Sequence, residues 1–260
     1  MYVFREKWIK INEKKGGTKK MPVAMSEKMN RYFEKIKQDV NVIYDVANKA
    51  RAIGIDPEPQ VESPQAMDMA GRVEKLVGPN GVAARIRELQ EQGLNQDDIT
   101  FKIADEVIEE RFGSLNLADK ADLAIRVALA IKTEGVVSAP LEGIGKIEIR
   151  KDAYGGPDYL AVYFAGPIRA AGGTVQAYCV LIADHVREKL KIAPYIATEE
   201  EVGRMVEEIK LYDRIMRLQY PSTIEELEFS VRNLRVELNG EPTEDREVSA
   251  YRDLKRINTN

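Results

Sequence analysis

The chain has 260 residues, of which 44% are hydrophobic and 32% are charged, and its net charge of −4 excludes a protein that is basic throughout. The single cysteine, Cys179, excludes an internal disulfide, and with the single histidine, His185, it cannot complete a structural zinc site. No apolar run reaches the roughly 18 residues that a membrane span requires, so we expect a cytoplasmic protein without a membrane partner.

Residues 1–24 form a basic leader. Residues 1–20 carry seven Lys and Arg but only two Glu, and they contain no apolar segment of the kind found in secretory signals. One interpretation is a basic arm for nucleic acid. The alternative, which we favour, is a disordered leader or a start codon upstream of the true Met21 or Met25.

Residues 25–138 are predicted to form a helical region that begins with a long amphipathic helix over residues 26–51. Gly54 and Pro57 end its pattern. Apolar residues recur at spacings of four and three over three heptads, as in a coiled-coil seam: Met29, Phe33, Ile36, Val40, Ile43, Ala47 and Ala50. One hypothesis is that the helix docks on a partner subunit through the first five of these side chains. The alternative is an amphipathic helix that packs on its own domain.

Four shorter helices are predicted next, over residues 66–77, 82–92, 97–112 and 119–134. The last of them is apolar on nearly every side. A helix of this kind has to be covered by neighbours all round, so we expect it at the centre of the helical region.

Residues 139–260 are predicted to form an α+β region. Residues 144–150 and 159–164 alternate between apolar and polar and are joined by turn residues, which predicts a β-hairpin with a loop longer than two residues. A glycine-rich strand-to-helix loop and a helix over residues 175–190 follow. The fold class is therefore α+β, with the helical half first and a mixed α/β half of short antiparallel strands second.

The remaining elements are a helix and a second hairpin. A helix over residues 198–217 begins with a capping box made by Thr198 and Glu201, and Ser222 with Glu225 offers another such box. Residues 231–238 alternate as a strand, and the following Asn239-Gly240 predicts a turn toward a partner strand over residues 247–254. The last five residues resemble neither a cap nor a tail, so we expect this region to be truncated at its C-terminal end.

The glycine-rich loop, residues 165–174, is the first candidate site, and it reads AGPIRAAGGT. Its glycines permit positive φ and close backbone approach, and Thr174 is a predicted N-cap that leaves the amides of the next helical turn free. Free amides and a guanidinium together suit phosphate or carboxylate. The predicted DNA- or anion-binding residues are Arg169, Gly172, Gly173 and Thr174.

Specific nucleotide motifs do not fit this loop. No lysine precedes Thr174 as a Walker loop requires, and Gly166-Pro167-Ile168 breaks the dinucleotide-binding pattern. The alternative is that the glycines serve tight strand-to-helix packing while Arg169 pairs with a carboxylate of its own domain. Cys179 and His185 are six residues apart and lie on different helix faces, so we expect a buried thiol and a half-exposed histidine.

Five segments carry a resemblance to a known family. In chain order they read RVEKLVGPNGVAARIREL, TEGVVSAPLEGIGKI, YLAVYFAGPIRAAGGTVQAYCVLIADHVREKL, TEEEVGRMVEEIKLYDRIMRLQYPST and VRNLRVELNGEPTEDREVSAYRDL. They resemble the N-terminal region of the large subunit of archaeal family D DNA polymerase, and FAGPIRAAGGT is the most specific part. The resemblance covers residues 25–260, whereas residues 1–20 have no counterpart.

The resemblance implies a replicative DNA polymerase of two different subunits. The large subunit synthesises DNA on a template-primer with Mg²⁺, and the small subunit carries the 3′-to-5′ exonuclease that proofreads. The implied partners are the small exonuclease subunit, the DNA template-primer and the remaining domains of the large subunit. The family's polymerase site and zinc modules lie downstream of the residues matched here.

We therefore expect a non-catalytic module, with no catalytic residue, metal or cofactor of its own, that is inactive in isolation. Its expected role is subunit assembly through the helical half and DNA backbone contact through the Arg169 loop. The alternative is a small phosphate- or nucleotide-handling enzyme that uses the glycine-rich loop.

Overall fold

A computed structural model describes residues 25–58, 65–134, 140–152, 154–166 and 173–240. Within these ranges the chain forms five helices, a β-hairpin, three further helices and a short strand, which confirms the predicted α+β class. The elements are α1 (Glu27–Ala52), α2 (Met69–Leu76), α3 (Val82–Glu91), α4 (Gln96–Ile108), α5 (Leu117–Lys132), β1 (Ile144–Arg150), β2 (Tyr159–Phe164), α6 (Gly173–Lys189), α7 (Glu199–Met216), α8 (Ile224–Arg232) and β3 (Glu237–Gly240).

Capping side chains decide where several helices begin. Helix α7 has the predicted capping box, in which Thr198 Oγ1 accepts from the Glu201 amide and the Glu201 carboxylate accepts from the Thr198 amide. Before α8 the box forms at Thr223 and Glu226, so the prediction of Ser222 and Glu225 was wrong by one residue. The N-cap must directly precede the first helical residue, which here is Ile224.

Helix α5 lies at the centre of the hydrophobic core, as its composition predicts. Its buried side chains include Ile125, Leu129 and Ile131, which expose no surface. It packs against α4, α6 and β1, so it is covered on several sides. The same buried cluster includes residues of the hairpin, such as Leu160, and of α6, such as Ile182. The helical and α+β halves therefore share one core within the described residues.

The sheet has three strands in the order β1-β2-β3. Strands β1 and β2 form the predicted antiparallel hairpin, with Arg150 opposite Tyr159. Strand β3 pairs with the other edge of β2 and runs parallel to it, with Glu237 opposite Ala161. Because side chains alternate between the two faces of a strand, Leu160 and Val162 point into the core while Ala161 lies on the opposite face.

The predicted strand over residues 231–238 and its hairpin turn were wrong. Leu227 and Val231 are four residues apart on the buried side of α8, and strand structure begins only at Glu237. Asn239 pairs with Tyr163 inside the parallel ladder and does not form a turn. The apparent alternation arose where a helix end meets a strand start. The proposed partner strand, residues 247–254, lies outside the described residues.

Helix α1 matches the predicted long helix but does not enter the core. Ser26 caps it by accepting a hydrogen bond from the Met29 amide, and Gly54 follows it with φ +74°. None of its 26 residues is buried. Several of its apolar residues, including Ile36 and Ile43, are therefore exposed at the surface of the described fold.

Candidate functional site

The glycine-rich loop joins the end of β2 to the start of α6. Strand β2 ends at Phe164, after which Ala165 is buried and Gly166 is exposed. Arg169 and Gly172 lie outside the described residues. Helix α6 begins at Gly173 and Thr174 is its second residue, so Thr174 is not the N-cap that its residue type predicted. Both Gly173 and Thr174 are exposed, which leaves this end of the loop accessible.

No described residue packs closely against Gly166 or Gly173. A Cβ atom added at either position would meet no atom of the described residues within 4 Å. Within the part of the chain that the structure describes, the alternative in which these glycines serve tight strand-to-helix packing therefore has no support at these two positions.

Lys132, the last residue of α5, lies against the first two turns of α6. The Lys132 Nζ atom sits 3.9 Å from the centroid of the Tyr178 ring. Lys132 also forms an ion pair with Asp97, and the hydrogen bond that Lys132 donates to that carboxylate raises the pKa of Lys132. Because Asp97 balances the charge, Lys132 adds little net positive potential to the loop. Arg169 remains the cation on which the anion-site prediction depends.

The N-terminus of α3 has no capping side chain of its own, and a carboxylate of α2 caps it instead. Gly81 occupies the N-cap position with φ +91°. The Glu74 carboxylate accepts from the Gly81 amide at 2.9 Å and from the Ala83 amide at 2.8 Å. This helix start is therefore satisfied from within the chain and is not an anion site.

Cys179 and His185 do not form a catalytic pair. Burial raises the pKa of the Cys179 thiol to about 12, so the thiol stays protonated at neutral pH. His185 is partly exposed, and its Nε2 atom lies 2.8 Å from Asp105 Oδ1, while Lys189 Nζ lies 2.9 Å from Asp105 Oδ2. The predictions of a buried thiol and a half-exposed histidine are confirmed. These contacts of Asp105 tie α4 to α6.

A polar sheet cluster, which sequence analysis missed, lies on the face of the sheet that points away from the core: Glu148, Arg150, Tyr163 and Glu237. Arg150 donates to both carboxylate oxygens of Glu237 at 3.1 Å, and its Nε atom lies 3.7 Å from Glu148 Oε1. Tyr163 Oη donates to Glu148 Oε1 at 3.1 Å. Ala161 lies opposite both carboxylates, so the Arg150 side chain can reach across β2.

Burial and charge act together on this cluster. Burial raises the pKa of Tyr163, which keeps its hydroxyl protonated as a donor. Burial by itself would lower the pKa of Arg150, but the charge of Glu237 together with the nearby Tyr163, Tyr159 and Glu148 outweighs it and raises that pKa. The cluster therefore holds β1, β2 and β3 together with its charges paired. The alternation of side chains along β1 predicts that Glu148 and Arg150 lie on one face of the sheet. Glu237 is 87 residues from Arg150, so no local sequence pattern predicts that it joins them.

The described residues contain neither a group of metal-binding side chains nor a membrane-spanning helix. No group of three or more His, Cys, Asp and Glu side chains there could hold a metal ion. No helix there is long and apolar enough to cross a membrane.

The predicted partner helix is the second candidate surface. Met29, Ile36 and Ile43 of α1 are exposed, with exposed fractions of 48%, 40% and 66%. Phe33 and Val40 are half-buried. Three of the five side chains predicted for partner contact therefore lie fully on the surface, and the other two lie at its edge.

Known proteins match almost the whole chain. The family described as DNA polymerase II large subunit DP2, N-terminal, matches residues 31–260. The DNA polymerase II large subunit of Archaeoglobus fulgidus is 48% identical over 234 residues, which is 90% of this chain and 20% of the relative. The protein of the same name from Pyrococcus abyssi is 48% identical over 241 residues, which is 92% of this chain and 16% of the relative.

A third relative has a similar identity and coverage. The DNA polymerase II large subunit of Methanococcus vannielii is 47% identical over 239 residues, covering 92% of this chain and 21% of the relative. The chain thus spans about a fifth of the length of these relatives.

Proposed function

Because the chain belongs to the DNA polymerase II large subunit family and matches its N-terminal region, we propose that it is the non-catalytic N-terminal portion of such a subunit. The parent enzyme would be a replicative, DNA-directed DNA polymerase in the cytoplasm, whose small subunit supplies 3′-to-5′ exonuclease proofreading. It would use Mg²⁺ for synthesis. The described residues of this chain offer no set of acidic, His or Cys side chains that would hold the ion.

We propose that the segment serves subunit assembly through α1. The observation that carries this proposal is a helix of 26 residues, about 39 Å long, with exposed apolar residues along it and no buried residue. Exposed contiguous apolar surface is typical of protein interaction sites. The partner would be the small subunit or the remaining domains of the large subunit.

Arginine substitutions on α1 test the assembly role. Ile36→Arg combined with Ile43→Arg places two charges on the exposed face, and we expect co-purification with the small subunit and the rest of the large subunit to fall about tenfold or more. Asn30→Arg combined with Gln38→Arg adds the same charge on another side of α1 and should leave assembly unchanged. Normal assembly of the Ile36/Ile43 variant would exclude α1 as the contact.

We propose that the glycine-rich loop contacts the DNA backbone through Arg169. The support is the resemblance carried by FAGPIRAAGGT together with the exposure of Gly166 and Gly173, the described residues on either side of the loop. A guanidinium beside free helix amides recognises phosphate without reading base sequence.

Salt dependence tests the DNA contact. In the assembled polymerase, Arg169→Ala should weaken binding of a template-primer duplex and reduce the slope of log affinity against log salt by about 1, measured by fluorescence anisotropy between about 50 and about 200 mM salt. Arg72→Ala, at an exposed arginine of α2, is the matched control. An unchanged slope for Arg169→Ala would remove the loop from the DNA interface.

A further inference from the structure

The exposed face of α1 carries apolar side chains at regular helical spacing. Apart from Val42, its exposed large apolar side chains follow alternating spacings of three and four in chain order, interrupted at Asp39 and Ala50. We call this set the outer stripe: Met29, Tyr32, Ile36, Ile43, Val46 and Ile53, with exposed fractions between 40% and 71%. Ile53 is the C-cap residue that directly follows the helix. The spacing places the set at the a and d positions of a heptad.

The outer stripe differs from the seam that periodicity alone suggested. Phe33, Val40 and Ala47, which the sequence placed in the seam, are half-buried. They occupy the e positions of the heptad defined by the outer stripe, so the least exposed side of α1 lies along one border. The available seam is therefore rotated toward the opposite border, which is formed by the g positions.

Three of the four g positions are basic. The four positions are Lys28, Lys35, Val42 and Lys49, and all are exposed. The acidic residues Glu27, Glu34 and Asp45 fall on other sides of the helix, and Asp39 occupies a d position within the stripe. None of the three lysines forms an ion pair with another described residue. Charges at e and g positions select the partner of a helix, because they meet the flanking charges of that partner.

A second copy of this chain does not complement the seam. In an antiparallel pair the g positions face each other, so Lys28, Lys35 and Lys49 would meet lysines. In a parallel pair they would face the e positions, where Phe33 and Val40 offer no negative charge. Self-association would leave the lysines repelled or unpaired in either orientation.

We propose that the outer stripe docks an amphipathic helix of a different polypeptide that has an apolar seam and acidic residues opposite Lys28, Lys35 and Lys49. This inference rests on the proposed assembly role of α1 and names the chemistry of the partner. Apolar residues supply the contact area, and the lysines select the acidic flank and suppress basic partners.

Two designed helical peptides of about 28 residues test the inference. They share the same apolar a and d residues, and one carries Glu while the other carries Lys at every e and g position. Binding to the full chain is measured by fluorescence anisotropy. We expect the Glu peptide to bind about tenfold more tightly than the Lys peptide. Equal affinity, or no binding of either peptide, would overturn the proposal.

Charge reversal supplies the matched controls. Replacing Lys28, Lys35 and Lys49 by Glu should reverse the preference, so that the Lys peptide binds more tightly. Lys35→Glu alone should weaken the Glu peptide, whereas Lys37→Glu, the same change two residues away and off the seam, should not. A preference that survives the triple reversal, or a DNA duplex that displaces the Glu peptide through the same lysines, would contradict a helix-docking seam.

The two proposals for α1 fail in different ways. Loss of assembly in the Ile36/Ile43 variant without any peptide preference would leave the assembly role standing and exclude an acidic helix as the partner. A charge-dependent peptide preference combined with normal assembly of that variant would keep the seam and remove its role in the polymerase.

Discussion

Helix α1 has an apolar stripe and α5 is apolar on nearly every side, and the fold uses the two helices in opposite ways. Helix α5 has eight buried side chains in 16 residues, whereas α1 has none in 26. Helix α5 packs against α4, α6 and β1 and so forms the core. Helix α1 keeps its outer stripe exposed. Apolar periodicity shows which face of a helix leaves water, but not whether the same chain covers that face.

The largest expected effect contrasts the two helices directly. Leu129→Ala in α5 removes a fully buried side chain, and we expect the free energy of unfolding to fall by about 3–5 kcal/mol in urea titrations. Ile43→Ala in α1 removes a side chain that is 66% exposed, so its effect should stay within about 0.5 kcal/mol. Equal losses would mean that the folded chain covers α1 after all.

The next effect concerns the sheet that packs on α5. Glu237→Ala leaves the buried Arg150 without its closest partner, and breaking a buried ion pair typically costs about 3–5 kcal/mol. Glu148 remains nearby, so we expect a loss of about 2–3 kcal/mol in the same titrations. Glu237→Gln, which keeps an acceptor but removes the charge, should lose less. No loss in either variant would show that the polar sheet cluster does not hold β3.

A smaller loss of stability is expected from removing helix caps, and it should distinguish α7, which packs on the core, from α1. Thr198→Ala removes the capping box of α7, whose Val202 is buried, so the whole fold should lose about 1 kcal/mol. Ser26→Ala removes the cap of α1, and we expect lower helix content by circular dichroism without a shift of the main unfolding transition. A shift as large as that of Thr198→Ala would couple α1 to the core.

The smallest effect is a pH dependence at the contact between α4 and α6. Burial would raise the pKa of Asp105, but hydrogen bonds from Lys189 and His185 outweigh it and lower the pKa below its ordinary value of 3.8. A carboxyl group with a lowered pKa stabilises the fold above its unfolded-state pKa, and that stabilisation is lost as pH falls through the folded-state pKa.

Asp105→Asn should therefore destabilise the chain at about pH 6, and the difference from the unsubstituted chain should shrink toward about pH 3. Thermal melts across this range provide the measurement. A difference that stays constant with pH would show that Asp105 acts by packing and not by its charge. Asp39→Asn on α1 is the control, and it should show no such pH dependence.

Local physical chemistry made most elements predictable. Heptad spacing located α1, all-round apolarity located α5, and a hydroxyl three residues before a glutamate located the start of α7 at Thr198. Alternation located both strands of the hairpin. Each of these signals lies within a few residues, where helix and strand geometry relate sequence spacing directly to a face. The helical course of α1 was predictable for the same reason, whereas its contact with a partner stays a prediction.

Long-range pairing was not predictable. Strand β3 looked like half of a local hairpin because Asn239-Gly240 favours a turn, but it pairs in parallel with β2 after three intervening helices. The polar sheet cluster depends on that pairing, so no sequence pattern could bring Glu237 to Arg150. The Arg169 prediction came from residue type and loop position, and it stays a prediction.

The sequence by itself determined the helices, the hairpin and the family, because each depends on spacing or on residue identity. Only the tertiary structure decided that α5 is covered, that β3 runs parallel to β2, and that the available side of α1 is bordered by Lys28, Lys35 and Lys49. These outcomes depend on which surfaces meet, and residues that meet can be far apart in the chain. Residue spacing places apolar residues along one side of α1, whereas the fold decides which of them are exposed and which residues border them.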